Sequence, residues 1–262
     1  MTDDCIAFLN AWAKGNDIPT KSAAPPRLLS AFTKLLIDPT IPAIDLAHEA
    51  VTPPPREHAY EPEPTPPSTD ILYAMIIDAV KNLTDMNDRL VDFTEALAGL
   101  PSGEYGNLNG LAMTIDEFSW GLHDGGGSRQ QNRQTWFNLN AYTAKLAAIG
   151  LPHRGAISRG GWVLQRTLER QWQQWDLGSL DGYVPAAAVW IRHCGSRIYQ
   201  QKGRLENVRG STWKGQQVWS RERWDFWKKR FQWVMTQKTL KKHTRDEAGE
   251  CVERMEDIEK RF

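Results

Sequence analysis

An all-α fold, a multi-helix bundle with a tryptophan-rich core, follows from three observations on this sequence. Apolar residues recur at helical spacing in segment after segment, with capping residues at the segment ends. No run of five residues alternates apolar and polar as a half-buried strand does. The third is tryptophan: twelve occur, ten of them between positions 136 and 233. Each can bury about 200 Å² and asks for a partner for its indole N–H, so this region is expected to hold the dominant core and a pocket.

The elements follow in chain order. Residues 3–14 place Cys5, Leu9 and Trp12 on one face. Residues 26–37, opened by Pro25 and Pro26, do the same with Leu28, Phe32, Leu35 and Leu36. A short helix is expected from Pro42 to Ala50. The stretch TPPPREHAYEPEPTPPS, 52–68, has proline at seven of seventeen positions. Proline fixes φ and lacks an N–H, so this reads as a tether. Ser68 or Thr69 caps a helix from Asp70, and a further one runs from about Asp85 to Ala98, closed by Gly99 and Pro101. Thr114 with Glu117 suggests a capping box for a helix to about Leu122. A long helix from about Arg129 to Ile149 ends at Gly150, before Pro152. Others are expected near 157–175, 179–201 and 220–237, and the last, 245–260, again shows a capping-box pattern in Thr244 and Glu247. Three parts result: an N-terminal helical segment, 1–51; a Pro-rich linker, 52–68; and a main helical domain, 69–262.

At 262 residues, 40% hydrophobic and 24% charged, the composition is that of a soluble globular protein able to bury a sizeable core. It contains no run of eighteen apolar residues, and MTDDCIAFLNAWAKG carries two acids where a secretory signal carries bases. No membrane span and no cleaved signal are expected. Cys5, Cys194 and Cys251 lie far apart without CxxC spacing, which favours a reducing compartment over a disulfide framework or zinc site; the cytoplasm is the expected setting, with the nucleus as the alternative. The zero net charge hides an asymmetry: residues 1–124 hold 7 Lys/Arg against 19 Asp/Glu, a net −12, and residues 125–262 hold 25 against 13, a net +12. Internal complementarity ranks above a nucleic-acid footprint, because the acidic half is the nearer polyanion.

Candidate chemistry is sparse. HDGGGSRQ lacks the Lys-Ser/Thr of a phosphate loop and follows no strand; a weaker reading keeps Arg129 and Arg133 as an anion site at a helix start. Asp85, Asp88, Asp92 and Glu95 share a helical face, and NDRLVDFTE approaches the metal-ligand pattern of terpene cyclases, but Val91 stands where a hydroxyl is needed. A solvated acidic face is the expectation. His193 and Cys194 point about 100° apart on a helix and form no nucleophile–base pair. No metal site and no cofactor are expected. Asn138 and Asn140 interrupt an apolar helix, so their amides bond a neighbouring backbone or a Trp N–H, or else reach a ligand. The ligand-binding candidates are therefore Trp136, Asn138, Asn140, Trp190 and Trp227 as wall, with Arg192 and His193 at the rim. In SRERWDFWKKRFQWV, Trp224, Trp227, Phe231, Val234 and Met235 form a core stripe. Phe226 and Trp233 lie opposite, expected beneath the N-terminal segment or the terminal helix, with a partner surface as the alternative.

Three stretches, TWFNLNAYTAKLAAIGL (135–151), YVPAAAVWIRHCGSRIY (183–199) and GSTWKGQQVWSRERWDFWKKRFQWV (210–234), together resemble a fungal family classed as a domain of unknown function, over roughly residues 69–262. RGAISRGG, 154–161, departs from its pattern as an insertion. The resemblance implies an intracellular helical protein of fungal origin and no agreed activity. The functional expectation is a non-catalytic binding or interaction module with an aromatic-lined pocket or groove, taking a small hydrophobic ligand or a protein partner. The alternatives are an enzyme acting on a hydrophobic small molecule, as in secondary metabolism, and nucleic-acid binding through the basic half.

Overall fold

The computed structural model describes residues 3–15, 20, 22–53, 68–101, 105, 108–119, 128–151 and 156–262. Among them are eleven α-helices, two 3₁₀ turns (Thr84–Met86 and Leu177–Ser179) and no strand beyond two isolated bridges. The helices are α1 (Asp3–Lys14), α2 (Pro26–Ile37), α3 (Ala43–Val51), α4 (Thr69–Asn82), α5 (Asn87–Ala98), α6 (Asn109–Ser119), α7 (Arg129–Ala148), α8 (Ala156–Leu168), α9 (Leu180–Gln200), α10 (Arg221–Met235) and α11 (Lys242–Arg261). The all-α class stands. The chain folds as two compact units, residues 1–122 and 123–262.

In the first unit, α2 packs on α1 and α3, α3 on α5, and α4 on α5 and α6. The apolar stripes predicted by spacing meet here: Trp12, Leu28, Phe32, Met75, Ile76 and Phe93 are all buried. Phe32 meets Phe93 edge to face at 5.4 Å. The Trp12 indole N–H donates to Asp78 at 2.9 Å. Ser68 caps α4 through the Asp70 N–H. The Pro-rich tether falls mostly outside the described residues, since 54–67 are not described; α3 before it and α5 after it are nevertheless packed together. The helix expected to open at Thr114 instead opens at Asn109, and the Thr114 hydroxyl donates to the Gly110 carbonyl one turn back.

In the second unit α9 is central, packed on α7, α8 and α11, while α10 packs on α8 and α11. Ser128 and Gln131 close a full capping box on α7, and Gly150 ends it at φ +90°. The RGG of the apparent insertion is a packing device. A Cβ on Gly160 would lie 2.5 Å from the Trp190 ring, and Gly161 lies as close beneath Trp219, so only glycine lets α8 approach these rings. The predicted helix 157–175 stops at Leu168, because the next backbone groups find partners elsewhere. The Glu169 carbonyl accepts from Thr212, the Trp172 indole N–H donates to the Thr167 carbonyl at 2.8 Å, and Asp176 accepts from the Gln173 N–H at 2.7 Å.

The terminal helix starts earlier than predicted, and Thr244 is not its cap. Asp181 of α9 takes that role from outside, accepting from the Lys241 N–H at 3.0 Å and the Thr244 hydroxyl at 2.8 Å. On α10, Trp224, Trp227, Phe231 and Val234 are buried as the stripe predicts, but Met235 is 43% exposed, since the helix ends there. Phe226 packs on Trp213 of the 201–220 connection at 5.5 Å, and Trp233 lies under the Arg230 guanidinium at 4.2 Å.

Candidate functional site

The residues predicted as a pocket wall divide into two groups. Asn140 sits one turn beyond Trp136 on α7, so its amide donates to the Trp136 carbonyl at 2.8 Å while its oxygen accepts the Trp190 indole N–H at 3.0 Å. Asn138 is buried and accepts from Gln134 at 2.9 Å. Trp227 lies apart from these. Its indole N–H donates at 2.8 Å to Glu169. Arg192 reaches α11, pairing with Glu247 at 2.8 Å and Glu250 at 3.3 Å, and His193 is half-buried beside the buried Cys194. Cys194 donates to the Ala144 carbonyl at 3.2 Å, and burial pushes its thiol up to about 11.

Trp136 belongs to a cluster of rings that sequence reasoning only half found. It meets Trp162 of α8 at 6.0 Å and Tyr183 of α9 at 6.4 Å, both edge to face, and Trp172 meets Tyr183 at 5.2 Å. Arg166, one turn beyond Trp162, lays its guanidinium over the Trp162 ring at 5.1 Å and near Tyr183 at 6.0 Å. Two features set this cluster apart. The buried indole N–H of Trp136 has no hydrogen-bond partner among the described residues, which costs about 1–3 kcal/mol relative to a satisfied group. Arg166 meets no carboxylate among them either; its one hydrogen bond is a long 3.5 Å contact to the Tyr183 hydroxyl. The available signal was the Trp162/Arg166 spacing of i, i+4 on a helix, just after the stretch 154–161 that read as an insertion.

A second constellation was missed altogether. Glu169 and Arg223 are both fully buried and form a two-pronged pair, Nε to Oε1 at 2.7 Å and Nη2 to Oε2 at 2.9 Å. Arg223 also donates to the Leu205 carbonyl at 2.8 Å and Asn207 at 2.9 Å, while Ser211 donates to Glu169 at 2.7 Å. Every oxygen of the carboxylate is occupied, so this network fastens the 201–220 connection to α8 and α10. It has no free lone pair aimed at a ligand.

Arg129 and Arg133 do not stand free at the start of α7. Arg129 donates to Ser179 at 3.4 Å, and Arg133 donates to the Gly178 carbonyl and lies 3.9 Å from Asp181. Burial, with the nearby Arg129 charge, draws the Arg133 pKa down. In the first unit, Asp85, Asp88, Asp92 and Glu95 are exposed, and among the described residues no group of three or more His, Cys, Asp or Glu is placed to hold a metal ion. Two surface cavities of the second unit, of about 270 and 230 Å³, lie between α9 and α11 and beside the start of α11. Trp136, Trp190 and Trp227 line neither.

These features define an all-helical protein whose second unit carries an aromatic cluster with one unpaired buried donor, the Trp136 indole N–H, and an arginine without a carboxylate partner among the described residues. A family model described as "Protein of unknown function (DUF3632)" matches residues 73–231, and the chain belongs to that family. No curated protein and no solved structure matches it. Among the described residues no helix is long and apolar enough to cross a membrane.

Proposed function

We propose that the chain is a non-catalytic binding module whose site is the aromatic cluster of Trp136, Trp162, Trp172 and Tyr183, with a small hydrophobic ligand as its partner. The observation that carries this reading is the buried, unpaired indole N–H of Trp136. Buried donors are satisfied in the great majority of folded proteins, and one left open among aromatic rings is what a pocket uses to orient a guest. The other buried ionisable groups support the reading from the opposite side. Glu169, Arg223, Asp176 and Glu247 are held in ion pairs within the unit, and Cys194 is a thiol inside an apolar shell rather than an activated nucleophile. A cytoplasmic setting fits three buried cysteines that form no disulfide.

The test is a thermal-shift series on the full chain with small planar aromatic compounds, repeated on Trp162→Ala. The wild type should be stabilised in proportion to the logarithm of ligand concentration above Kd, and the variant should not. The reading gives way to an enzyme if a turnover is measured that a single change at His193, Cys194 or Glu247 abolishes while the protein stays folded.

A further inference from the structure

We infer that the ligand of this cluster is a planar aromatic carboxylate, an inference that rests on the binding reading above. Two donors in the cluster lack a full complement of acceptors: the Trp136 indole N–H, which has no partner among the described residues, and the Arg166 guanidinium, whose one hydrogen bond is the long contact to the Tyr183 hydroxyl. A ligand that satisfies them must bring acceptor oxygens, and one that satisfies Arg166 must bring negative charge. Six other arginines of its unit are already committed to acceptors. Arg170, Arg192 and Arg223 have carboxylates within 2.8 Å, 2.8 Å and 2.7 Å, and Arg197, Arg221 and Arg230 donate to main-chain carbonyls.

The geometry further selects a flat guest. Arg166 is half-buried and lies over Trp162, itself half-buried. A guanidinium stacked on an indole keeps its N–H fork in a plane, ready for two parallel bonds to one carboxylate. An aromatic ring attached to that carboxylate then lies against the Trp162 and Trp136 edges, where offset or edge-to-face contact adds about 0.5–1.5 kcal/mol per pair. An ammonium compound, the usual guest of an aromatic box, would instead face the positive charge already seated there.

Isothermal titration calorimetry of the full chain with 2-naphthoate, 2-naphthamide and 2-naphthyltrimethylammonium decides the matter. The carboxylate should bind about tenfold or more tightly than the isosteric amide, the gap expected of a charge-assisted hydrogen bond. Arg166→Gln should erase that gap while retaining weak binding of the amide, and Arg166→Lys should retain only part of it. Trp136→Phe should weaken the carboxylate without changing the thermal unfolding midpoint downward. Equal binding of acid and amide to the wild type would overturn the carboxylate inference and leave the aromatic site standing, as would preference for the ammonium. Binding of 2-naphthoate that survives Arg166→Gln unchanged would also overturn it, by placing the ligand elsewhere. Failure of all three compounds to bind would overturn the site itself. The acid-against-amide comparison uses the wild type alone, so it holds even if a variant does not fold.

Discussion

Glu169 and Arg223 show no solvent exposure, yet each donor and acceptor of the pair is used. Taking both charges out of water costs several kcal/mol per ion, offset here by the two-pronged geometry, by bonds to Glu169 from Trp227 and Ser211, and by bonds from Arg223 to the Leu205 carbonyl and the Asn207 side-chain oxygen. Such a pair is costly to break from one side only. Arg223→Met should lose about 3–5 kcal/mol in urea unfolding, whereas Arg223→Met with Glu169→Met should recover much of that loss; equal losses in the single and double variants would mean the pair is not the coupled unit. The thiols make a second, pH-dependent statement. Burial pushes Cys194 up from 9.0 to about 11 and pushes Cys251 up as well. Below about pH 9 both folded and unfolded states hold the proton, so the shift has no effect. Above it the unfolded chain releases protons that the folded state retains, and stability should fall as pH rises toward about 11, by up to about 1.4 kcal/mol per pH unit for one thiol. A variant with Cys194→Ala and Cys251→Ala should be weaker throughout but show a shallower alkaline fall in its urea midpoint. Identical slopes would assign the alkaline loss to other groups.

At the scale of elements, local signals and distant partners divide the molecule. Ser68, the Pro26 start and Gly150 mark helix ends in the sequence because each acts on its own or adjacent backbone. The stop at Leu168 and the 201–220 connection were not legible, because their partners lie far along the chain: Glu169 to Arg223 spans 54 positions and Glu169 to Ser211 spans 42. The same division runs through the site. Asn140 was readable as a polar residue in an apolar helix, and it does hold the Trp190 indole. Arg166 was not, because an arginine looks solvated until the ring beneath it is known. The start of α11 is of the distant kind, since its cap comes from α9. Asp181→Ala should remove the acceptor for the Lys241 N–H and the Thr244 hydroxyl and cost about 0.5–2 kcal/mol, the range for losing a helix cap. Hydrogen exchange should accelerate in the first turn of α11 and not in its last. Unchanged exchange at Thr244 and Arg245 would show that the first turn is held by packing alone.

At the scale of the whole molecule, the opposite charges of the two halves have a local use within the basic one. Helix carbonyls at a C-terminus lack intrahelical partners, and in the second unit arginines from other elements supply them. Arg197 donates to Ala147 and Ala148 at the end of α7, Arg230 to Leu168 at the end of α8, and Arg221 to Tyr199 at the end of α9. These cations also meet the negative ends of the helix dipoles. Among the described residues seven tryptophans are buried: Trp12, Trp136, Trp172, Trp190, Trp219, Trp224 and Trp227. A nucleic-acid footprint needs cations free for phosphates and rings free to stack on bases, and here these three arginines bind carbonyls and most of the described tryptophan rings face the core. The full chain should therefore give no retarded band with a short single-stranded oligonucleotide even at low salt. A complex that forms at low salt, and weakens steeply as salt rises, would show that enough of the basic excess remains free to release counterions from a phosphate backbone. It would restore the nucleic-acid reading, with Trp175, 84% exposed, as the first ring to replace.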